Sequence, residues 1–310
     1  MDEFARIARY FAPLAGPEGL GLTDDAALLA PPPGRELVLT VDQMIEGVHF
    51  LSQDAPALIA RKLLRRNLSD LAAMGAQPLG YLLTTALPRA RDESWLRGFT
   101  EGLAADQREF GFTLYGGDSA SSLAHIALTA TLIGHLAPGT ALRRDGARPG
   151  DEIWVTGTIG DAALGLAARH GQLADPTGFL TRRSLLPTPR LGLALGRIAH
   201  AAIDVSDGLV QDLGHLAQAS GVRAILRAGA VPASEQAAAC GPAMLETRLT
   251  GGDDYELLLA VPPAKAAALT RACGGLKITK IGAFIAGEGV EIHDDAGNTL
   301  HFAKPGWTHF

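Results

Sequence analysis

The chain has 310 residues, 47% hydrophobic and 19% charged, with a formal net charge of -6. That balance excludes wholesale disorder, and with no basic tract to offset the charge it argues against a dedicated nucleic-acid binder. Cys240 and Cys273 stand far apart, which excludes a short-spaced zinc motif or a disulfide framework and suits a reducing cytoplasm.

The first residues carry Asp2 and Glu3 where a signal peptide would be basic, and no apolar h-region follows. No apolar run reaches the ~18 residues of a membrane span, so no membrane role is expected. Strand-like "ELVLTVD" (36–42) comes first, then helical periodicity over 55–75 that stops at Gly75 before Pro78. A strand over 79–88, a helix over 93–109 and strands over 112–118 and 125–136 follow. The Gly-, Pro- and charge-rich stretch 137–151 is the natural boundary, dividing the chain into domains 1–138 and 139–310. Beyond it the pattern predicts a strand over 152–156, helices over 161–169 and 190–200, a strand over 201–205, a helix over 208–219 and a strand over 255–261. Further β-rich segments close the chain, so the fold class is α/β (α+β) in two halves. Arg65-Arg66 and Arg182-Arg183 read as solvated helix faces.

Acidic residues beside small ones recur along this framework, often where a strand ends: "TDDAALL" (23–29), "LTVDQ" (39–43), "NLSDLAAMGA" (67–76), "YGGDSA" (115–120), "AIDVSDGLVQDL" (202–213) and "LTGGDDYELLL" (249–259). Any one of these is ordinary turn or cap chemistry. Their repetition, and the doubled acid of Asp204 and Asp207 around Ser206, points to hard oxygen ligands for Mg²⁺ or Ca²⁺. Asp70 adds to this, because a carboxylate on a helix rich in Leu, Ala and Met needs a partner. Mg²⁺ on a few carboxylates usually holds substrate phosphates, as in phosphoryl transfer. No G-x-x-x-x-G-K-[ST] loop, kinase signature or G-x-S-x-G elbow is present. The residues alone therefore reach a Mg²⁺-dependent enzyme acting on phosphate esters or nucleotides.

The segments "DDAALL" (24–29), "LTVDQMIEGVHF" (39–50), "NLSDLAAMGAQP" (67–78), "YGGDS" (115–119), "ALRRDGARPGDEIWVTGTIGDAALGL" (141–166), "AIDVSDGLVQDLGHL" (202–216), "GGDDYELLL" (251–259) and the terminal "KPGWTHF" (304–310) together resemble the thiamine-monophosphate kinase family, within the aminoimidazole-ribonucleotide synthetase-like ATP enzymes. The resemblance implies transfer of the ATP γ-phosphoryl group to thiamine monophosphate, directly and in line, giving thiamine diphosphate. It implies a homodimer whose N-terminal halves form a β-barrel and bind ATP and Mg²⁺, with an α/β C-terminal half and the nucleotide in the cleft between halves. Carried over by position, Asp25, Thr40, Asp42, Asp70, Asp118, Asp204 and Asp207 would bind several Mg²⁺ ions. Gly117, Asp118, Arg144 and Ser206 would contact the nucleotide. His49, Asp253 and Trp307 would hold the thiamine phosphate, and Asp118 and Asp207 would matter most to catalysis. Ser206 would reach the nucleotide at a helix start whose dipole favours phosphate.

Three positions depart from the family pattern: Thr23 replaces a glycine, Val41 a hydroxyl residue, and Asp253 a glutamate. Rival readings are another ATP enzyme of the superfamily, or a binding protein without turnover. A selenophosphate synthetase would carry a reactive Cys near the N-terminus, and both cysteines here lie far downstream.

Overall fold

The computed structural model describes residues 3–89 and 91–308. Asp2 of the N-terminal reading and the last two residues of "KPGWTHF", His309 and Phe310, lie outside the described residues. The chain forms two units, Met1–Leu71 with Ala76–Gly139, and Ala72–Gly75 with Thr140–Phe310.

In the first unit four strands, β1 (Glu36–Ile45), β2 (Gln77–Pro88), β3 (Thr113–Ser122) and β4 (Ala127–Leu136), form one sheet in the order β1-β4-β2-β3. β2 and β3 run parallel, whereas β4 is antiparallel to both β1 and β2. The alternation of β4, buried at every second residue, gives this sheet one covered face. Two helices lie on that face: α1 (Pro56–Met74), through Leu71 against Gly134, and α2 (Glu93–Phe110), through Gln107 bonded to the Tyr81 hydroxyl. α2 begins where Asp92 accepts the Trp95 N–H at 2.9 Å and ends at Gly111, whose φ of 73° only glycine adopts cheaply.

α1 buries far more than one stripe. Leu63, Leu64, Leu68 and Leu71 are fully buried, and so are the polar Asn67 and Ser69. Arg65 is buried too and donates to Asp106 on α2 at 2.8 and 2.9 Å. The expectation of a solvated Arg65-Arg66 face is therefore wrong: a buried guanidinium persists because a carboxylate meets it bidentately. Arg183 of the second pair likewise reaches inward, to Glu256 at 3.1 Å.

The second unit holds β5 (Glu152–Thr156), β6 (Ala201–Asp204), β7 (Arg223–Arg227), β8 (Leu257–Val261), β9 (Ile278–Ile285), β10 (Gly289–His293) and β11 (Thr299–Leu300). They form a mixed sheet in the order β11-β10-β7-β9-β5-β8-β6. The helices that matter for the site are α3 (Asp161–Arg169) and α4 (Leu209–Ser220). Leu209, Leu213 and Leu216 of α4 pack with Ile203 and Leu258 in one apolar core.

Three sequence expectations change. Residues 190–200 form turns, not a helix: Gly192 has φ 81°, a Cβ at Gly196 would meet the Thr140 carbonyl at 2.4 Å, and Arg190 is tethered to buried Glu256 at 2.6 Å. β1 and β3 run past the predicted ends, so Asp42 and Asp118 sit inside edge strands and not at strand termini. The four-stranded sheet is open within one chain, with β1 and β3 as its edges, so no barrel closes there.

Candidate functional site

In the first unit, Thr40 and Asp42 alternate with Val41 along β1 and face α1. The Thr40 hydroxyl donates to Asp70, and Arg66 approaches Asp42 at 3.6 Å. This pairing accounts for the carboxylate on a Leu-rich helix. Val41 points the other way and is 60% exposed, so its side chain does not join that group.

His49 belongs to a tight turn after β1. The N–H groups of Val48 and His49 donate to the Ile45 carbonyl, and Gly47 takes φ 83°. His49 Nδ1 accepts the Ile45 N–H at 3.1 Å, which leaves the proton of a neutral ring on Nε2. Asp25 is exposed in the segment before β1.

Gly117 and Asp118 are set by close strand pairing, since a Cβ at Gly117 would meet the Leu83 carbonyl at 1.8 Å. The register decides which way each acid points. Asp42, Ala130, Leu83 and Gly117 form one row across the sheet, and Gln43, Thr129, Thr84 and Asp118 form the next. Neighbouring rows face opposite sides. Asp42 therefore faces the helices, whereas Asp118 faces the open side with exposed Leu39, Val41 and Leu82. One chain does not bring these two aspartates together. Just past Asp118, a cavity of about 520 Å³ is lined by Ser119, Ser121, Thr85, Arg6, Arg89 and Arg91 among others. None of the residues assigned from sequence lines it.

In the second unit, Asp204 ends β6 and is 2% exposed, and residues 205–208 turn the chain into α4. Asp212, which the sequence reading did not single out, organises this turn. Its Oδ2 accepts the N–H groups of Ser206, Asp207 and Gly208 at 3.0, 3.0 and 3.1 Å. The dipole argument for a phosphate at this helix start is thus corrected: the protein's own carboxylate already takes these donors. Burial, then repulsion from Asp204 and Asp207, pushes Asp212 up to about 8. Ligand atoms of Asp207, Asp212 and His215 lie within 4.8 Å of one another. An acid in a helix's first turn is the available sequence signal, but it reads equally well as a dipole complement.

The loop 251–256 docks on this turn. Asp253 donates its N–H to the Ser206 carbonyl and Tyr255 to that of Val205, both at 2.8 Å. Asp253 sits at φ 73°, and its carboxylate accepts the Tyr255 hydroxyl at 2.9 Å. The next two acids are structural. Asp254 accepts N–H groups of Gly160 and Ala162 around the start of α3, and Glu256 is gripped by Arg190, Arg183 and Thr156. Trp307 is 53% exposed, so it does not cap the core. Its N–H donates to the Asp207 carbonyl at 3.0 Å, and its carbonyl accepts from Gln211, which also donates to Asp207 at 3.2 Å.

Arg144 is exposed on a segment that lies alongside β6, where the Ala202 N–H donates to the Arg143 carbonyl. Ser206, Asp207, Asp253 and Trp307 thus meet in one hydrogen-bonded assembly beside Asp204. Its donors are carboxylate and hydroxyl oxygens, hard ligands that fit Mg²⁺. Among the described residues no helix is long and apolar enough to cross a membrane.

Comparison with known proteins matches residues 23–136 to the AIR synthase related protein N-terminal domain and 148–295 to its C-terminal domain. The thiamine-monophosphate kinase of Caulobacter vibrioides is 43% identical, over 99% of this chain and 90% of that protein. The crystal structure of the thiamine-monophosphate kinase from Stenotrophomonas maltophilia superposes with a TM-score of 0.82 at 39% identity, covering 96% of this chain and 95% of that one. AaThiL complexed with AMPPCP and TMP gives a TM-score of 0.79 at 32% identity, over 93% of this chain and 91% of that one.

Proposed function

This chain belongs to the thiamine-monophosphate kinase family, and we propose that it transfers the γ-phosphoryl group of ATP, directly and in line, to the phosphate of thiamine monophosphate, yielding thiamine diphosphate and ADP. The observation that carries the reading is the assembly at residues 204–208, where backbone hydrogen bonds tie Ser206 to Asp253 and Asp207 to Trp307, and Gln211 bonds both the Asp207 carboxylate and the Trp307 carbonyl, so that two carboxylates, a hydroxyl and an exposed indole are gathered in one place. The AMPPCP and TMP with which AaThiL is complexed support the same pair of substrates here.

On this reading Asp25, Thr40, Asp42, Asp70 and Asp118 of the first unit, and Asp204 and Asp207 of the second, hold Mg²⁺. Bound metal supplies charge neutralisation where four phosphate groups converge. Gly117 lets the backbone approach the nucleotide, Ser206 donates its hydroxyl, and Arg144 adds the cation that a triphosphate requires. His49 presents Nε2–H to the acceptor phosphate. Trp307 offers an indole face to the cationic thiazolium. Asp253 is one methylene short of the family's glutamate, and the Tyr255 hydroxyl fixes its carboxylate.

Residues 1–138 serve as the ATP-binding, Mg²⁺-binding and dimerisation domain, and residues 139–310 form an α/β domain. The open face bearing Leu39 and Val41, 66% and 60% exposed, supports a homodimer that completes a barrel across two chains. Two unpaired cysteines suit work in the cytoplasm.

The test is a chromatographic assay with Mg²⁺, ATP and thiamine monophosphate that follows thiamine diphosphate and ADP together. Equal formation of both, abolished by chelator and absent with free thiamine, is the expected result. ADP without thiamine diphosphate would hand the acceptor to another enzyme of the superfamily, and nucleotide binding without either product would make this a binding protein. Asp118→Asn and Asp207→Asn are each expected to lower kcat on the order of 10²-fold. Near-normal turnover with unchanged Mg²⁺ dependence would remove both from the metal site.

A further inference from the structure

The start of α4 has the makings of an anion site. Three consecutive backbone N–H groups, of Ser206, Asp207 and Gly208, converge on one point, as they do around phosphates bound at other helix starts. Here that point is occupied by Oδ2 of Asp212. The carboxylate is 2% exposed, so water does not compete for these donors. The turn is shaped to receive it: Gly208 takes φ 131°, and a Cβ there would meet the Thr250 carbonyl at 2.6 Å.

We propose that Asp212 is a positioning residue that fixes the sign of this loop. By filling the nest internally it withdraws the N–H groups from any incoming phosphate and leaves the outward side to the Asp207 carboxylate, so the loop takes up phosphate complexed with a divalent cation and rejects the bare anion. The Asp207 carboxylate is also held by Gln211, whose side-chain amide donates to its Oδ2 at 3.2 Å. The carboxylates of Asp207 and Asp212 stay close with a ring nitrogen of His215 nearby, so oxygen and nitrogen donors are gathered on this side of the loop. A residue that merely caps the helix would not distinguish metal-complexed from free phosphate. This inference rests on the reading that Asp204 and Asp207 hold metal.

The experiment uses the full-length protein and Mn²⁺ as a paramagnetic probe, titrated with AMPPCP present and read by electron paramagnetic resonance, so no turnover is needed. Asp212→Asn keeps an acceptor oxygen for the N–H groups but replaces the carboxylate with an amide that cannot ionise when a cation binds, and Asp212→Ala empties the nest. Both are expected to weaken Mn²⁺ binding by about tenfold or more, the usual loss when a residue supporting a metal ligand is changed. KM for thiamine monophosphate is expected to stay within about twofold. Asp212→Ala should also gain inhibition by millimolar inorganic sulfate, competitive with ATP, to which the parent protein is insensitive.

Folded variants that bind Mn²⁺ like the parent, with no sulfate inhibition in Asp212→Ala, would overturn the proposal. If Asp212→Ala does not fold, the Mn²⁺ affinity of Asp212→Asn decides alone. Asp204→Asn and Asp207→Asn separate the two levels. If they retain Mn²⁺ the metal reading fails, whereas if they lose it and Asp212→Asn retains it, only the present inference fails.

Discussion

Glu46 follows β1 immediately and is 6% exposed, yet both its carboxylate oxygens are engaged. Arg91 donates to one at 2.7 Å and the Ile126 N–H to the other at 2.9 Å. Burial opposes its charge, but the Ile126 N–H, Ser52 and Arg91 outweigh it and hold the pKa below the ordinary 4.5. A depressed carboxylate contributes stability above its unfolded pKa and loses that contribution as pH falls through the lower folded value. Glu46→Gln should therefore cost about 1.5–3 kcal/mol near neutral pH, the range for hydrogen bonds to a charged group. Urea unfolding of both proteins between pH 7 and pH 3 checks this, and the gap should narrow below about pH 4.5. At this scale the doubled acid at 204 and 207 was legible because it exceeds what one cap needs. Asp212 and Glu46 were not, since a single acid near a helix start or a strand end looks ordinary until its donors are known.

The edge strand β3 owes its place to glycine. Gly117 lies opposite Leu83, and any side chain there drives into the Leu83 carbonyl. Gly116, one residue earlier, is different: a Cβ would touch only a Leu82 methyl at 3.6 Å, an ordinary contact. Gly117→Ala is expected to lower stability by about 1–3 kcal/mol, as overpacked sites do, and to abolish turnover by displacing Asp118. Gly116→Ala should unfold within about 0.5 kcal/mol of the parent, in keeping with substitutions that meet no obstacle. Chemical denaturation of the pair reads both. The long helices α1 and α2 were legible from periodicity and from Gly75 and Gly111 at their ends. The apparent helix over 190–200 was not realised, because apolar spacing there serves a turn anchored by Arg190 on Glu256.

Across the whole molecule, the opposite facing of Asp42 and Asp118 is the feature with the widest consequence. If both serve one metal-nucleotide site, as proposed, two chains must contribute them. Asp42→Asn and Asp118→Asn, each inactive alone, should then regain activity when the two chains are co-expressed, because one site of the mixed dimer escapes both substitutions. Mixed dimers that stay inactive would return the whole site to a single chain. Val41→Lys, on the exposed face, should yield monomers by light scattering and lose activity with them, since a charge buried in that interface is unpaired.

The sequence by itself determined the alternation of strands and helices, the recurrence of hard oxygen donors and the family they belong to. Each of these is written in local pattern: period, turn residues, and acids beside glycine. Only the tertiary structure decided that Asp70 meets Thr40, that Asp254 and Glu256 serve the fold, that Asp212 fills its own nest, and that Asp42 and Asp118 point apart. Those outcomes depend on strand register and on which groups fold back within hydrogen-bond reach. A shift of one residue in register would reverse the facing of an acid without altering a single letter of its motif.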